Sequence, residues 1–184
     1  MNNYALLTVT GRDRPGMVAR TTQVLYETGC NIADSSMTRL GGEFTVMLIL
    51  QLPLSLTPAA LSERFQQLST QMELLIQVQP LPAQNALIAA QADSLQSATL
   101  SLLGADQPGI VYRVTQFLAD QQCNIVDLYT RVLGPTQQPI YSMVIEVEAP
   151  AHIDLQQQLQ PGLSQLEALL HVEIHLRLAD SSLM

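Results

Sequence analysis

A chain of 184 residues makes one large domain or two small ones, and with 47% apolar and 13% charged residues it carries enough apolar surface for a packed core. All eight basic residues are Arg and none is Lys, which excludes Schiff-base lysine chemistry and the lysine of a Walker nucleotide site. The net charge of -8 repels phosphate backbones, so direct nucleic-acid binding is not expected.

Residues 4–10 alternate, with Leu6, Thr8 and Thr10 on one face and Ala5, Leu7 and Val9 on the other, and predict a strand. Residues 11–16 form a turn. Pro15 is placed to start a helix, because its missing N–H falls among donors that are unpaired at a helix start. Val18, Thr21, Val24, Leu25 and Thr28 follow at helical spacing, and Gly29 sits where a helix end takes a left-handed residue. Residues 32–40 read as a strand, Gly41-Gly42 as a hairpin turn, and residues 43–52 as an apolar, central strand. Thr57-Pro58 caps and starts a second helix striped by Leu61, Phe65, Leu68 and Met72. Leu74, Ile76 and Val78 alternate as the last strand of this set.

Residues 80–96 hold two prolines, then Ala, Gln and Asn, and read as a linker. The same order then recurs: a strand at 99–103, a helix at 108–121, strands at 124–133 and 140–147 around a Gly134-Pro135 loop, a helical segment over about 153–169, and a strand at 171–178. Pro161-Gly162 inside that helix predicts a kink or a split. Residues 11–34 align without a gap on residues 104–127, with 13 identities in 24 positions. The identities include Asp13/Asp106, Pro15/Pro108, Gly16/Gly109, Cys30/Cys123, Asn31/Asn124 and Asp34/Asp127. The expected fold is α+β, with two ferredoxin-like βαββαβ units over residues 1–79 and 97–179. Each is a four-stranded antiparallel sheet with two helices on one face.

In each unit a strand ends, turns sharply through Asp13-Arg14-Pro15-Gly16 or Asp106-Gln107-Pro108-Gly109, and enters a helix. The outward N–H groups of a first helical turn, with a glycine that lets a ligand approach, suit a small carboxylate. Asn31 and Asn124, each at the start of the second strand, supply amides, and Asp13 or Asp106 supplies a counter-charge for an ammonium group. The same residues are also good turn chemistry, with the acid as cap and proline setting φ. Arg12 and Arg14 make the first loop cationic, whereas Ala105 and Gln107 stand at the matching places in the second.

The D-x-P-G turn after a short strand and the C-N-I-x-D at the second strand resemble those of ACT domains. Two of them in a chain of this length resemble the glycine cleavage system transcriptional repressor family. The resemblance implies amino-acid sensing at the strand-to-helix loops or at interfaces between ACT units. It also implies glycine as the ligand and a regulatory protein partner, a transcription activator. Its site residues are Asp13, Arg14, Gly16, Met17, Asn31 and Ile32 in the first unit, and Asp106, Gln107, Gly109, Ile110, Asn124 and Ile125 in the second.

Other features weigh less. His171, Glu173 and His175 share one face of the last strand and could ligate a metal, but they read better as the polar face of a half-buried strand. Cys30 and Cys123 are repeat-equivalent and read as small apolar packing residues, too few for a disulfide framework. No catalytic constellation emerges, and neither an enzyme, a cofactor nor a metal is expected. The N-terminus lacks the basic and apolar regions of a signal peptide, and the longest apolar run, 46–50, is too short to span a bilayer, so a soluble cytoplasmic protein without membrane contact is expected. Residues 1–92 carry five Arg and six acids, a net of -1, and residues 93–184 three Arg and ten acids, a net of -7. The first unit is therefore expected to lead in sensing an anion, and the acidic second unit to face a basic partner. An edge strand or helix face could pair chains into a homo-oligomer. The reading that competes with sensing is a structural or dimerisation module with vestigial pockets.

Overall fold

The computed structural model describes residues 3–82, 95–135, 137, 139–150 and 152–179. The chain divides into two units, Met1–Ala90 and Gln91–Met184.

In the first unit the alternation of the opening residues becomes β1 (Asn3–Arg12), whose Ala5, Leu7 and Val9 are buried while Leu6 and Thr8 face away from the core. The helix α1 (Met17–Glu27) returns along the sheet and buries Met17, Thr21 and Leu25. β2 (Asn31–Leu40) and β3 (Glu43–Leu52) form the expected hairpin about Gly41-Gly42, and both glycines have positive φ. α2 (Pro58–Met72) begins at Thr57, whose side chain accepts from the Ala60 N–H, and β4 (Leu75–Leu81) closes the unit. The sheet runs β2-β3-β1-β4, antiparallel throughout, with β3 central as its apolar run predicts. A core of Leu7, Leu25, Leu50, Leu61 and Phe65 fills the space between sheet and helices.

The second unit repeats this with β5 (Leu95–Ala105), α3 (Ile110–Asp120), β6 (Asn124–Leu133), β7 (Ile140–Pro150), α4 (Leu155–Leu170) and β8 (Val172–Leu178), in the order β6-β7-β5-β8. Its core gathers Leu100, Ile110, Leu118, Met143, Ile145, Leu155 and Leu159. β4 extends to Leu81 and β5 starts at Leu95, so both ends of the expected 80–96 linker are strand, and its middle lies outside the described residues.

The repeated C-N-I-x-D motif is structural at both ends. Gly29 (φ 72) and Gln122 (φ 59) are left-handed residues just after α1 and α3. The Cys30 and Cys123 N–H groups donate to the Leu25 and Leu118 carbonyls, 2.9 Å each, and the Gly29 and Gln122 N–H groups donate to Tyr26 and Ala119. This is a Schellman helix end, and it places each cysteine where its small side chain packs. Burial pushes the Cys123 thiol up from its ordinary value. Three residues on, the strand pairing shifts register between Ile32 and Asp34 and between Ile125 and Asp127. A β-bulge bends each strand here. Asp34 accepts the Ser35 N–H at 2.7 Å and Asp127 the Leu128 N–H at 2.8 Å, which holds the bulged backbone.

Three expectations need correction. The first helices begin at Met17 and Ile110, not at the prolines, because Gly16 (φ 91, ψ -5) and Gly109 (φ 96, ψ -5) are left-handed and precede the first helical residue. α4 is not split at Pro161-Gly162. Pro161 sits on the solvent side, and Leu155, Leu159, Leu163 and Leu170 stay in phase across it, so one missing N–H is outweighed by the buried stripe. His171 is not a strand residue but the left-handed cap of α4 (φ 50), as Glu73 (φ 52) is of α2.

Thr21 is 1% exposed, and its hydroxyl has no hydrogen-bond partner. The repeat-equivalent position holds Val114, equally buried. An unpaired buried hydroxyl costs about 1–3 kcal/mol. Thr21→Val should therefore raise the stability of the first unit by about 1 kcal/mol, read as a higher denaturation midpoint; a lower midpoint would show that the hydroxyl is satisfied.

Candidate functional site

The loop after β1 is shaped by four residues. Arg14, Pro15, Gly16 and Met17 make a type II turn, in which proline supplies φ near -65° and the third residue must be left-handed. The Met17 N–H to Arg14 carbonyl distance is 3.5 Å, and the Arg14 N–H donates to the Met17 thioether at 3.2 Å. Asp13 is tied to the hairpin by its N–H, which donates to the Gly42 carbonyl at 2.9 Å. Gly16 has no side-chain oxygen with which to cap the first-turn amides of α1. That end of the helix therefore presents backbone donors and a partial positive charge.

A cleft of about 700 Å³ opens there, lined by Asp13, Arg14, Gly16, Met17, Val18, Ala19, Met37, Arg39 and Phe44. Two ion pairs frame it, Arg39 to Asp13 at 3.0 Å and Arg14 to Glu73 at 2.8 Å. Both are solvated, with side-chain exposures of 70%/33% and 43%/77%, so each contributes at most about 1 kcal/mol. Pairs this weak can exchange partners, and a carboxylate entering the cleft would compete for the guanidinium groups.

The second loop keeps the backbone and changes the side chains. Its cleft, about 530 Å³, is lined by Asp106, Gln107, Gly109, Ile110, Val111, Tyr112 and Tyr141. The Gln107 amide donates to the Leu170 carbonyl at the end of α4, as Arg14 reaches Glu73 at the end of α2. This position ties the loop to the second helix in both units.

The structure brings Asp13, Arg14, Gly16 and Met17 together, and likewise Asp106, Gln107, Gly109 and Ile110. It does not bring Asn31 and Ile32, or Asn124 and Ile125, to the same place within a unit. Asn31 pairs with Gln51 and Asn124 with Glu148, at the opposite end of the sheet from the loops. A ten-residue strand separates the two ends by roughly 30 Å. Sequence reasoning missed Arg39, Met37 and Phe44. The two-residue hairpin turn at Gly41-Gly42 sets Arg39 across from Phe44, and strand alternation adds Met37, so the signal was in the spacing.

Away from the helices, the second sheet carries Asp127, Glu146, Glu148 and Glu173 on its outward face, opposite the buried Leu100 and Leu102. The Tyr129 hydroxyl on that face is held above its ordinary pKa by its hydrogen bond to Asp127, by that carboxylate's charge, and by Glu146. Asp127→Asn should bring the Tyr129 titration down toward the ordinary value, followed by the ultraviolet absorbance of the phenolate. A raised folded-state value stabilises below the unfolded pKa, and that contribution fades as pH rises through the folded one. An unmoved titration would remove Asp127 as the cause.

Among the described residues no group of three or more His, Cys, Asp or Glu side chains is arranged to hold a metal ion, and both cysteines are free thiols. No helix among them is long and apolar enough to cross a membrane.

Comparison with known proteins agrees with this architecture. The glycine cleavage system transcriptional repressor of Escherichia coli (strain K12) is 29% identical over 162 residues, covering 83% of this chain and 78% of that protein. A UPF0237 protein of Methanosarcina mazei is 42% identical over 48 residues, 26% of this chain and 52% of its own. Among solved structures, a protein of unknown function from Galdieria sulphuraria superposes with a TM-score of 0.78 at 24% identity, over 97% of this chain and 99% of that one. A candidate glycine cleavage system transcriptional repressor superposes at 0.68 with 20% identity, over 97% and 98%. The ACT domain family matches residues 3–79 and 97–173, both halves of the repeat, and the chain belongs to that family.

Proposed function

We propose that this chain is an amino-acid-responsive regulator that binds a small amino acid at the strand-to-helix loop of its first unit and acts in the cytoplasm through a protein partner, rather than as an enzyme. The observation that carries the reading is the first cleft, where Arg14 and Arg39 flank the uncapped start of α1. A ligand carboxylate would take the backbone N–H groups and one guanidinium, and its ammonium group would take the released Asp13 carboxylate. The similarity to the Escherichia coli glycine cleavage system transcriptional repressor favours glycine as the ligand and transcriptional control of amino-acid metabolism as the context. Asn31 and Ile32 would contribute only from a different ACT unit, since within one unit they lie at the far end of the sheet.

Ligand would stabilise one arrangement of the regulator and so one partner surface. Calorimetry with each of the twenty amino acids tests this. One or a few should bind, and Arg39→Ala should weaken that binding about tenfold, the loss of a charge-assisted contact. Heat-silent, shift-free titration with all twenty would leave the second reading, an interaction module with vestigial pockets. That reading is favoured by the edge strand β2, exposed along all ten residues.

A further inference from the structure

The two loop clefts share a backbone and carry opposite chemistry. In the first unit every charge at the cleft is matched, Asp13 by Arg39 and Arg14 by Glu73. In the second, Asp106 keeps the carboxylate, but Val132 stands at the place of Arg39, Gln107 at that of Arg14 and His171 at that of Glu73. The Gln107 amide is already engaged with the Leu170 carbonyl. Asp106 is exposed and has no cationic partner among the described residues.

The lining changes in the same direction. Ala19 and Phe44 of the first cleft are replaced by Tyr112, 68% exposed, and by the half-buried Tyr141. On the other side of Asp106 a second cleft, about 800 Å³, adds the Glu173 carboxylate beside Leu103 and Ile140. No Arg lines either cleft. An unmatched carboxylate next to aromatic faces is poor ground for an anion and good ground for a guanidinium or ammonium group. Such a group bonds the carboxylate while its charge lies over a ring. The net charge of -7 on residues 93–184 adds attraction of the same sign.

We infer that the Asp106 cleft of the second unit binds a guanidinium or ammonium group, with Asp106 as the charged anchor and Tyr112 and Tyr141 as the flanking faces. The second loop is then not a duplicate of the first site: the first has Arg14 and Arg39 for a carboxylate, and the second, with no Arg, takes only a cationic group. An Arg or Lys side chain of a partner protein and a free cationic amino acid present the same chemistry.

The test uses the full chain and three probes: free L-arginine, arginine blocked at both ends, and blocked citrulline, its neutral isostere. Amide chemical shifts locate binding and calorimetry measures it. Blocked arginine should shift Gly109, Ile110 and Tyr112, and blocked citrulline should not. Asp106→Asn should weaken binding about tenfold and Tyr112→Ala about threefold. Asp106→Glu should retain it, which separates loss of charge from loss of fold, and Glu63→Gln in α2 should change nothing. Added salt should weaken it. Binding of blocked arginine makes a protein side chain the source, whereas binding of the free amino acid alone keeps the site and makes the source a metabolite. Equal binding of blocked citrulline, no shift with either arginine, or indifference to Asp106→Asn would overturn the inference. Only shifts at Gly109, Ile110 and Tyr112 count for this site, and binding of free L-arginine that leaves them unmoved belongs to the first cleft, whose own test is the Arg39 variant.

Discussion

Replacing Gly16 by valine is expected to abolish amino-acid binding at the first loop and to destabilise the first unit by about 2 kcal/mol, the strain of a β-branched residue held left-handed. Gly16 has φ 91 and ψ -5 as the third residue of the type II turn, and a Cβ there would meet no atom within 4 Å. The cost is therefore in the backbone and not in crowding. Gly16 lines the cleft, so a valine there is expected to obstruct a ligand. Gly16→Asn separates the two effects, because asparagine tolerates this conformation better. It should recover much of the stability while still obstructing the cleft. Thermal melting and calorimetry on the two variants check this. A Gly16→Val chain that melts and binds like the parent would mean that the turn relaxes and that the loop is not the site.

Gly104→Ala is expected to destabilise the second unit by about 3 kcal/mol, the upper part of the range for overpacking a close-packed interior. A Cβ at Gly104 would lie 2.5 Å from Cγ1 and 3.1 Å from Cα of Val172, its direct partner across β5 and β8. Backbone cannot swing aside, so the two strands would have to part. The repeat-equivalent Gly11→Ala should cost less, since its nearest neighbour is the Leu74 Cδ2 atom at 2.7 Å, the end of a flexible side chain. Val172→Ala should restore part of the loss in the Gly104→Ala background by removing the 2.5 Å contact. Chemical denaturation of the four chains measures the series, and equal effects at Gly11 and Gly104 would contradict it. Gly11 and Gly104, at matching places in the repeat, each let a neighbouring residue, Leu74 or Val172, approach closely.

The same lesson applies to much of the repeated motif. In C-N-I-x-D the recurring asparagine and isoleucine were the ligand candidates, yet the residues around them recur for the backbone: Cys30 and Cys123 complete helix ends and Asp34 and Asp127 hold bulges. Recurrence marks any position where the fold is demanding, and a helix end or a bulge is as demanding as a pocket. The proline in α4 was misread for the converse reason. Propensity is local, while Leu155, Leu159, Leu163 and Leu170 bury a stripe that keeps the helix intact around Pro161.

The sequence by itself determined the two-unit organisation, the βαββαβ order and the central place of β3, because strand and helix periodicities and an offset repeat are written along the chain. It also determined that Gly16 and Gly109 would sit in sharp turns, since Pro-Gly has few conformations open to it. Only the tertiary structure decided which charges meet. Arg39 reaches Asp13 across 26 positions and Arg14 reaches Glu73 across 59, through strand pairing and helix packing that no local pattern encodes. It likewise decided that Asn31 stands at the opposite end of the sheet from Asp13, although the two are close in sequence. An intervening helix carries the chain back the length of the strands, so closeness in sequence becomes distance in space.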